Sequence, residues 1–550
     1  MIKLDLILAM IEIVLAVALF FLAGYFEKAK NTKWRIAYLV PLFAAALLCG
    51  AAGFDICMLG VYLGGVIMLI GFFRESERLR KLSCIAAAVA VVISVPVCNL
   101  SKAYRSVDYV EDFKDGFDLM KERYVLTQHK DIDWDALYDE YLPLFREVNK
   151  EQDEVANYIA WLRFTAEFHD GHIGYSPSDK ETYEKALEQL TGNDYGLSLV
   201  TLADGRTVAV NVEQDSAVTE AGITDGTVIT AWDGMSIDEA AELSPAYDLT
   251  IPMAVYENLL FYKPLYAAGV GGDTVTVSFI AEDGSEKQAT LESLGSYNER
   301  FEETVSDLNR GVDAGNLKWA EVSSNAVCLR IKAMMSTTKE ENDGAYDPMK
   351  NGIRAKIEEY EAAGYDKLII DLRENGGGSG LMVKAIAELF SPVGEHYYCT
   401  DALWDEKNGC YATDENGSYI KGKDNYYTGE DIWSSKEIVL LVNAYSASAA
   451  DHLSTVLGKF DNITVMGFTP SNGSAQGVNG IHLNAGTLQF SSALLLDENG
   501  DILIDSAADR ISRNPLEVTI PFDEASMTAI FINDEDYVLN VALRELRVRS

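Results

Sequence analysis

Residues 437–467 restrict the fold more than any other stretch. The unbroken apolar run Ile438-Val-Leu-Leu-Val442 suits a strand buried on both faces. The small residues after it, Asn443-Ala-Tyr-Ser-Ala-Ser448-Ala-Ala450, let the chain bend sharply into an apolar-periodic helix, and a second strand candidate follows at 463–467. Strand, turn, helix and strand in that order ask for an α/β sheet. Ser448 then stands at the helix N-terminus, where unpaired N–H groups and the positive end of the helix dipole favour an acyl-transfer nucleophile. Taken alone, the same residues equally suit an N-capped helix packed closely on a sheet, with no chemistry attached.

A second buried strand, 366–371, runs into Asp371-Leu-Arg373-Glu-Asn375-Gly376-Gly377-Gly378, whose glycines permit close backbone approach. Together the two stretches resemble the C-terminal processing and tricorn peptidases, serine peptidases with an Asp-Leu-Arg-x-Asn-x-Gly-Gly turn and a Ser-Ala-Ser-Ala-x-acidic nucleophile turn. The resemblance implies Ser448 as nucleophile, with the Ala449 N–H and that of Gly377 or Gly378 forming the oxyanion hole. Many members pair the serine with a lysine in a Gly-Lys-Gly segment. The matching position here is Gly473, so another base serves or the site is inactive.

The tricorn-like branch uses a histidine from an earlier helical region. Helices are predicted at 113–124, 135–148 and 154–168, followed by Glu167-Phe-His169-Asp170-Gly171-His172-Ile-Gly-Tyr175. That segment, with Ile132-Asp-Trp-Asp-Ala-Leu137 before it, resembles the helical region of this branch, and the resemblance carries the general-base role onto His172. A lone histidine beside Asp-Gly is otherwise a turn residue. For the acid that orients the base, counting back from Pro515 gives Asp509, although Asn514-Pro515-Leu516 lacks the family aspartate. His452, one helical turn after Ser448, is the rival base.

Residues 191–300 resemble a PDZ domain. Tyr195-Gly196-Leu197-Ser198 matches its carboxylate-binding loop, strands are predicted at 208–214 and 228–234, and a closing hairpin at 275–291 turns through Asp283-Gly284. The resemblance implies capture of an extended peptide at Tyr195, Gly196 and Leu197. A spacer that binds no peptide is the alternative, and the long piece at 238–270 departs from a compact PDZ domain.

The formal charge of -40 is unevenly spread. Residues 1–100 hold 9 Lys+Arg and 6 Asp+Glu, whereas the remainder holds 36 against 79, a net of -43. No basic stripe offers phosphate neutralisation, which excludes nucleic acid as a partner. Neither the cysteines nor the six histidines have zinc-site spacing, so no metal or other cofactor is expected. Cys399 and Cys410 lie in an apparent polar insertion at 395–430, and their pairing stays open.

Four apolar stretches, 4–25, 36–52, 56–73 and 82–98, each approach the length that crosses a bilayer. Lys28, Lys30, Lys33 and Arg35 in the first loop and Arg74, Arg78, Arg80 and Lys81 in the third put those loops on the cytoplasmic side. The expected architecture is therefore multi-domain: a four-helix membrane region at 1–100, a helical subdomain at 101–190, a PDZ-like β domain at 191–300 and an α/β peptidase core at 301–550. The expected protein is a multi-pass, membrane-anchored serine endopeptidase that contacts lipid through its spans, with its catalytic region outside the cytoplasm and protein or peptide substrates. The alternative is an inactive peptide-binding or sensor protein that retains the fold.

Overall fold

The computed structural model describes residues 107–249, 254–311, 316–335 and 346–549. Three helices open it: Tyr109–Arg123 (α1), Trp134–Glu151 (α2) and Glu154–Ala166 (α3). Asp108, Asp133 and Asp153 cap them, each side chain accepting from two backbone N–H groups of the first turn. Their apolar faces meet in an aromatic cluster, with Phe113 stacked on Phe145 and the edge of Phe164 against Phe113. A short strand, Gly174–Pro177 (β1), and a helix, Lys180–Thr191 (α4), follow.

Next come two small sheets. Ser198–Thr201 (β2) pairs with Thr207–Val210 (β3), and Ile229–Trp232 (β4), Thr274–Ile280 (β5) and Glu286–Glu292 (β6) form a meander. The helices Tyr256–Ala267 (α5) and Asn298–Leu308 (α6) pack among them.

The core sheet uses Lys318–Glu321 (β7), Ala326–Arg330 (β8) and Lys367–Asp371 (β9), with helix Asp347–Ala362 (α7) before β9 and Gly380–Phe390 (α8) after it. The polar insertion proves to be an antiparallel hairpin, Gly394–Ala402 (β10) and Lys421–Gly429 (β11). Ile438–Leu441 (β12), helix Ala449–Leu457 (α9) and Ile463–Gly467 (β13) then return to the core. A second hairpin, Gly477–His482 (β14) and Gly486–Ala493 (β15), precedes Val518–Thr519 (β16) and helix Tyr537–Arg549 (α10).

Six strands form the core in the order β16-β13-β12-β9-β8-β7, parallel except for β7. Alternate residues face opposite layers. Leu368, Ile370, Ile438 and Leu440 pack against α7, α8 and α9, while Ile369, Val439 and Leu441 pack against α10. Burial of each such side chain contributes about 1.5–3 kcal/mol, which explains why these strands read as unbroken apolar runs.

The helical region is joined to the second hairpin by β1, which pairs antiparallel with β15 from Gly174↔Gln489 to Pro177↔Gly486 in a separate three-stranded sheet. Asp112 on α1 adds a clamp, accepting from the Asn484 amide and side chain and from the Ala485 amide.

Two parts of the expected architecture are corrected. The PDZ-like region is not a separate β domain: its two sheets meet at the bridge Val208↔Val228 and share one apolar core. Its apolar core also continues into Ala444, Phe522, Met527 and Ile530 of the peptidase part, so residues 108–550 make one compact unit. Nor is a four-helix membrane region found among the described residues. Among the described residues no helix is long and apolar enough to cross a membrane, and the four stretches at 4–98 lie outside the described residues. In place of the multi-domain arrangement stands a mixed α/β fold of several sheets. Cys328, Cys399 and Cys410 carry free thiols.

Candidate active site

The site lies beyond the carboxyl ends of β9 and β12, where parallel sheets present their loops. After β12 the chain is locked on both sides. The Ser446 hydroxyl donates to the Leu372 carbonyl, the Ala447 amide to the Asn375 carbonyl, and the Asn472 amide to the Ser446 carbonyl. Between these anchors Ser448 takes φ 58° and ψ -116°, a costly conformation for a residue with a Cβ. Its amide donates to the Ser474 carbonyl (2.9 Å), and its hydroxyl makes no capping bond to α9. The helix start is thereby left with the Ala449 amide among its unpaired donors.

The glycine turn closes over this serine. A Cβ on Gly377 (φ 96°) would lie 2.5 Å from Ser448 Cβ and 3.0 Å from the Ala449 nitrogen, so glycine is required by both space and dihedral. Of the expected oxyanion donors, the Gly377 amide is already spent on Asn375 Oδ1 (2.9 Å). Gly378 is pinned by neighbours on either side, since the Met334 amide donates to the Gly377 carbonyl and the Ser379 amide to the Met334 carbonyl. Below the turn, burial opposes ionisation of Asp371, but the Arg373 and Arg330 guanidiniums hold its carboxyl below the usual range.

His172 arrives on the Asp-Gly-His turn. A Cβ on Gly171 would fall 1.8 Å from Asn472 Oδ1, so the turn lies directly on the loop after β13. The Gly171 amide donates to Ser474 Oγ (2.9 Å), and Ser474 is the residue whose carbonyl holds the Ser448 amide. The two motifs, 276 residues apart in the chain, thus meet on one residue. His172 is 5% exposed and neither ring nitrogen has a hydrogen-bond partner among the described residues. Burial lowers its pKa, and Asp170 partly offsets that effect, so the imidazole is neutral near pH 7.

Around this turn lies a buried polar cluster that sequence reasoning missed. Asp170 Oδ1 accepts from the His172 amide (2.9 Å) and from Ser474 Oγ (3.4 Å), while Oδ2 accepts from Tyr124 (3.1 Å) and Ser491 (2.8 Å). Asp505 has no exposed surface, and its Oδ2 accepts from the Ala475 amide and Gln476. Burial and then Asp170 push its carboxyl upward. Asp509, expected as the orienting acid, is exposed and instead accepts from the Ile511 amide and Arg513. The one signal for Asp505 was an aspartate closing the apolar run Ile502-Leu-Ile504.

The loop matching the family's lysine segment serves Asp451. Gly473 (φ 81°) and Ser474 donate their amides to its Oδ2, and burial pushes the Asp451 carboxyl up to about 7. His452, the rival base, is stacked on Tyr398 (4.3 Å) with Nε2–H donating to the Tyr398 carbonyl. Burial lowers its pKa to about 4.

The PDZ-like loop is closed upon itself. Tyr195 and Leu197 have no exposed surface, and the Gly196 amide donates to Asp194, which Arg300 also holds. Beside it, α5 packs against β2.

Residues 326–506 match Peptidase family S41, and residues 106–155 match the Tricorn protease C1 domain. No curated protein matches the chain. Among solved structures the chain is similar to a CPAF mutant, at 14% identity over 79% of this chain and 96% of that one, with a TM-score of 0.52. It is likewise similar to mature CPAF complexed with lactacystin, at 13% identity over 80% and 99% of the two chains, with a TM-score of 0.50. At these identities the likeness is one of fold. The Ser448 turn, the glycine turn and four strands of the core sheet all fall within residues 326–506, the region that matches peptidase family S41, and the chain is a serine-type peptidase.

Proposed function

We propose that this peptidase is an endopeptidase that cleaves protein or peptide substrates through an acyl-enzyme on Ser448, with His172 as general base. One observation supports the reading above all: Ser474 accepts the Gly171 amide on its hydroxyl and the Ser448 amide on its carbonyl, joining the two motifs. His172 takes the proton of the Ser448 hydroxyl as Oγ bonds to the scissile carbonyl carbon. The tetrahedral oxyanion is received by the Ala449 and Gly378 amides, since that of Gly377 is engaged. His172 then passes its proton to the leaving amine as the C–N bond breaks, and water hydrolyses the ester by the same relay. Asp170 fixes the base through its backbone amide and faces it with a charge, whereas Asp509 is exposed and engaged with Arg513.

A fluorophosphonate probe tests this directly. Ser448 should label in the wild-type chain, and both Ser448→Ala and His172→Ala should abolish labelling. The glycine at the family's lysine position favours the rival reading of an inactive peptide binder, which requires that the wild-type chain fail to label. Lactacystin, which forms a complex with CPAF, is a second probe of the same serine.

A further inference from the structure

Lys130 is buried at 6% exposure on the loop after α1, outside the machinery described so far. Its ammonium donates to the His169 carbonyl (2.8 Å), at the start of the Asp-Gly-His turn, and to Ser506 Oγ (3.1 Å). Ser506 in turn donates to the Ala254 carbonyl (2.6 Å). A lysine is almost never buried this far without opposite charge beside it. Burial lowers the Lys130 pKa, and Asp170 first, then Asp505, whose own carboxyl burial pushes upward, oppose that effect. Arg510 and Asp509 also act on Lys130, Tyr124 donates to Asp170, and His129 Nε2–H donates to the Asp505 carbonyl. Asp170 is the charged group that acts on His172.

We propose that Lys130 is a positioning residue for the reaction: its ammonium ties the Asp-Gly-His turn to the 505–506 segment and balances Asp170, so that His172 meets Ser448 from a fixed backbone with a fixed field. The inference rests on His172 being the base. Without the ammonium the His169 carbonyl loses its donor, the turn can slip on the 472–474 loop, and the unbalanced Asp170 carboxylate favours imidazolium over imidazole. A slip of about 1 Å at a reacting centre costs up to about 100-fold in rate.

The test is peptide turnover against pH for Lys130→Met and Lys130→Arg in the full chain. Lys130→Met should lower kcat about 10- to 100-fold, leave KM within about twofold, and move the acidic limb of kcat/KM to higher pH. Lys130→Arg should recover part of kcat and return the limb toward wild type. An unchanged kcat, or a lost kcat with the limb unmoved, overturns the proposal. If Lys130→Met does not fold, Lys130→Gln decides by the same two readouts. His172→Ala separates the two readings: full activity in that variant refutes the base assignment, whereas an inactive His172→Ala beside a wild-type Lys130→Met refutes only the role of Lys130.

Discussion

Ser448 is held at a positive φ by hydrogen bonds that act on its neighbours and its amide, leaving the hydroxyl free of them. The same economy applies to His172, whose backbone is fixed by Asp170 while its ring carries no bond. Because burial lowers the His172 pKa, kcat/KM should rise with pH through a group titrating below the unperturbed value of about 6.5. His172→Ala should remove that limb, and survival of the limb in the variant would sink the assignment. Asp451 gives a stability prediction of the opposite kind. Its folded pKa of about 7 lies above the unfolded value of about 3.9, so its contribution is complete below about pH 4 and is lost as pH rises through about 7. Asp451→Asn should flatten the fall of Tm across that window in calorimetry; wild-type and variant curves that run parallel would contradict it. Ser448, His172 and the glycines could be singled out in the sequence because the turns that carry them resemble those of a known peptidase family, and the structure brings those turns together at Ser474. Lys130 and Asp505 could not, because what makes them notable is burial beside partners 376 residues away or across a loop.

At the scale of elements, β9, β12 and α9 could be read from sequence because strands buried on both faces and an amphipathic helix have strong periodicities. The predicted helices at 113–124, 135–148 and 154–168 lie close to α1, α2 and α3, as their aspartate caps fix the starts. By contrast β1 is four residues with a proline, and its partner was invisible to any local pattern. The hairpin β10–β11 was hidden by its own exposure, since most of β11 faces solvent and carries charge. The glycine turn offers the element-scale test. Gly377→Ala puts a methyl 2.5 Å from Ser448 Cβ and forces a side chain onto φ 96°. The strain of about 1–3 kcal/mol should lower Tm by a few degrees, whereas peptide turnover should fall at least about 100-fold as the nucleophile and the Ala449 amide are displaced. Turnover near wild type in a folded variant would show that the turn is not tied to the nucleophile.

For the molecule as a whole, the PDZ resemblance misled because the strand order and turns survive while the independence does not. Residues 191–300 share their core with Ala444, Phe522, Met527 and Ile530. Excised alone, this segment should show no cooperative thermal transition, because the apolar faces that complete its core would be missing. A sharp transition of the isolated segment would restore the separate-domain picture.

The pairing of β1 with β15 also fixes when the protein can act. The strand that seats His172 must wait for a partner ending at Ala493, and the loop beneath the turn is itself made only after Ser448. During synthesis the turn that carries His172 therefore has no loop or strand to dock on until the chain has grown to about Ala493. On the proposed roles of Ser448 and His172, chains that stop short of Ala493 should show no peptidase activity.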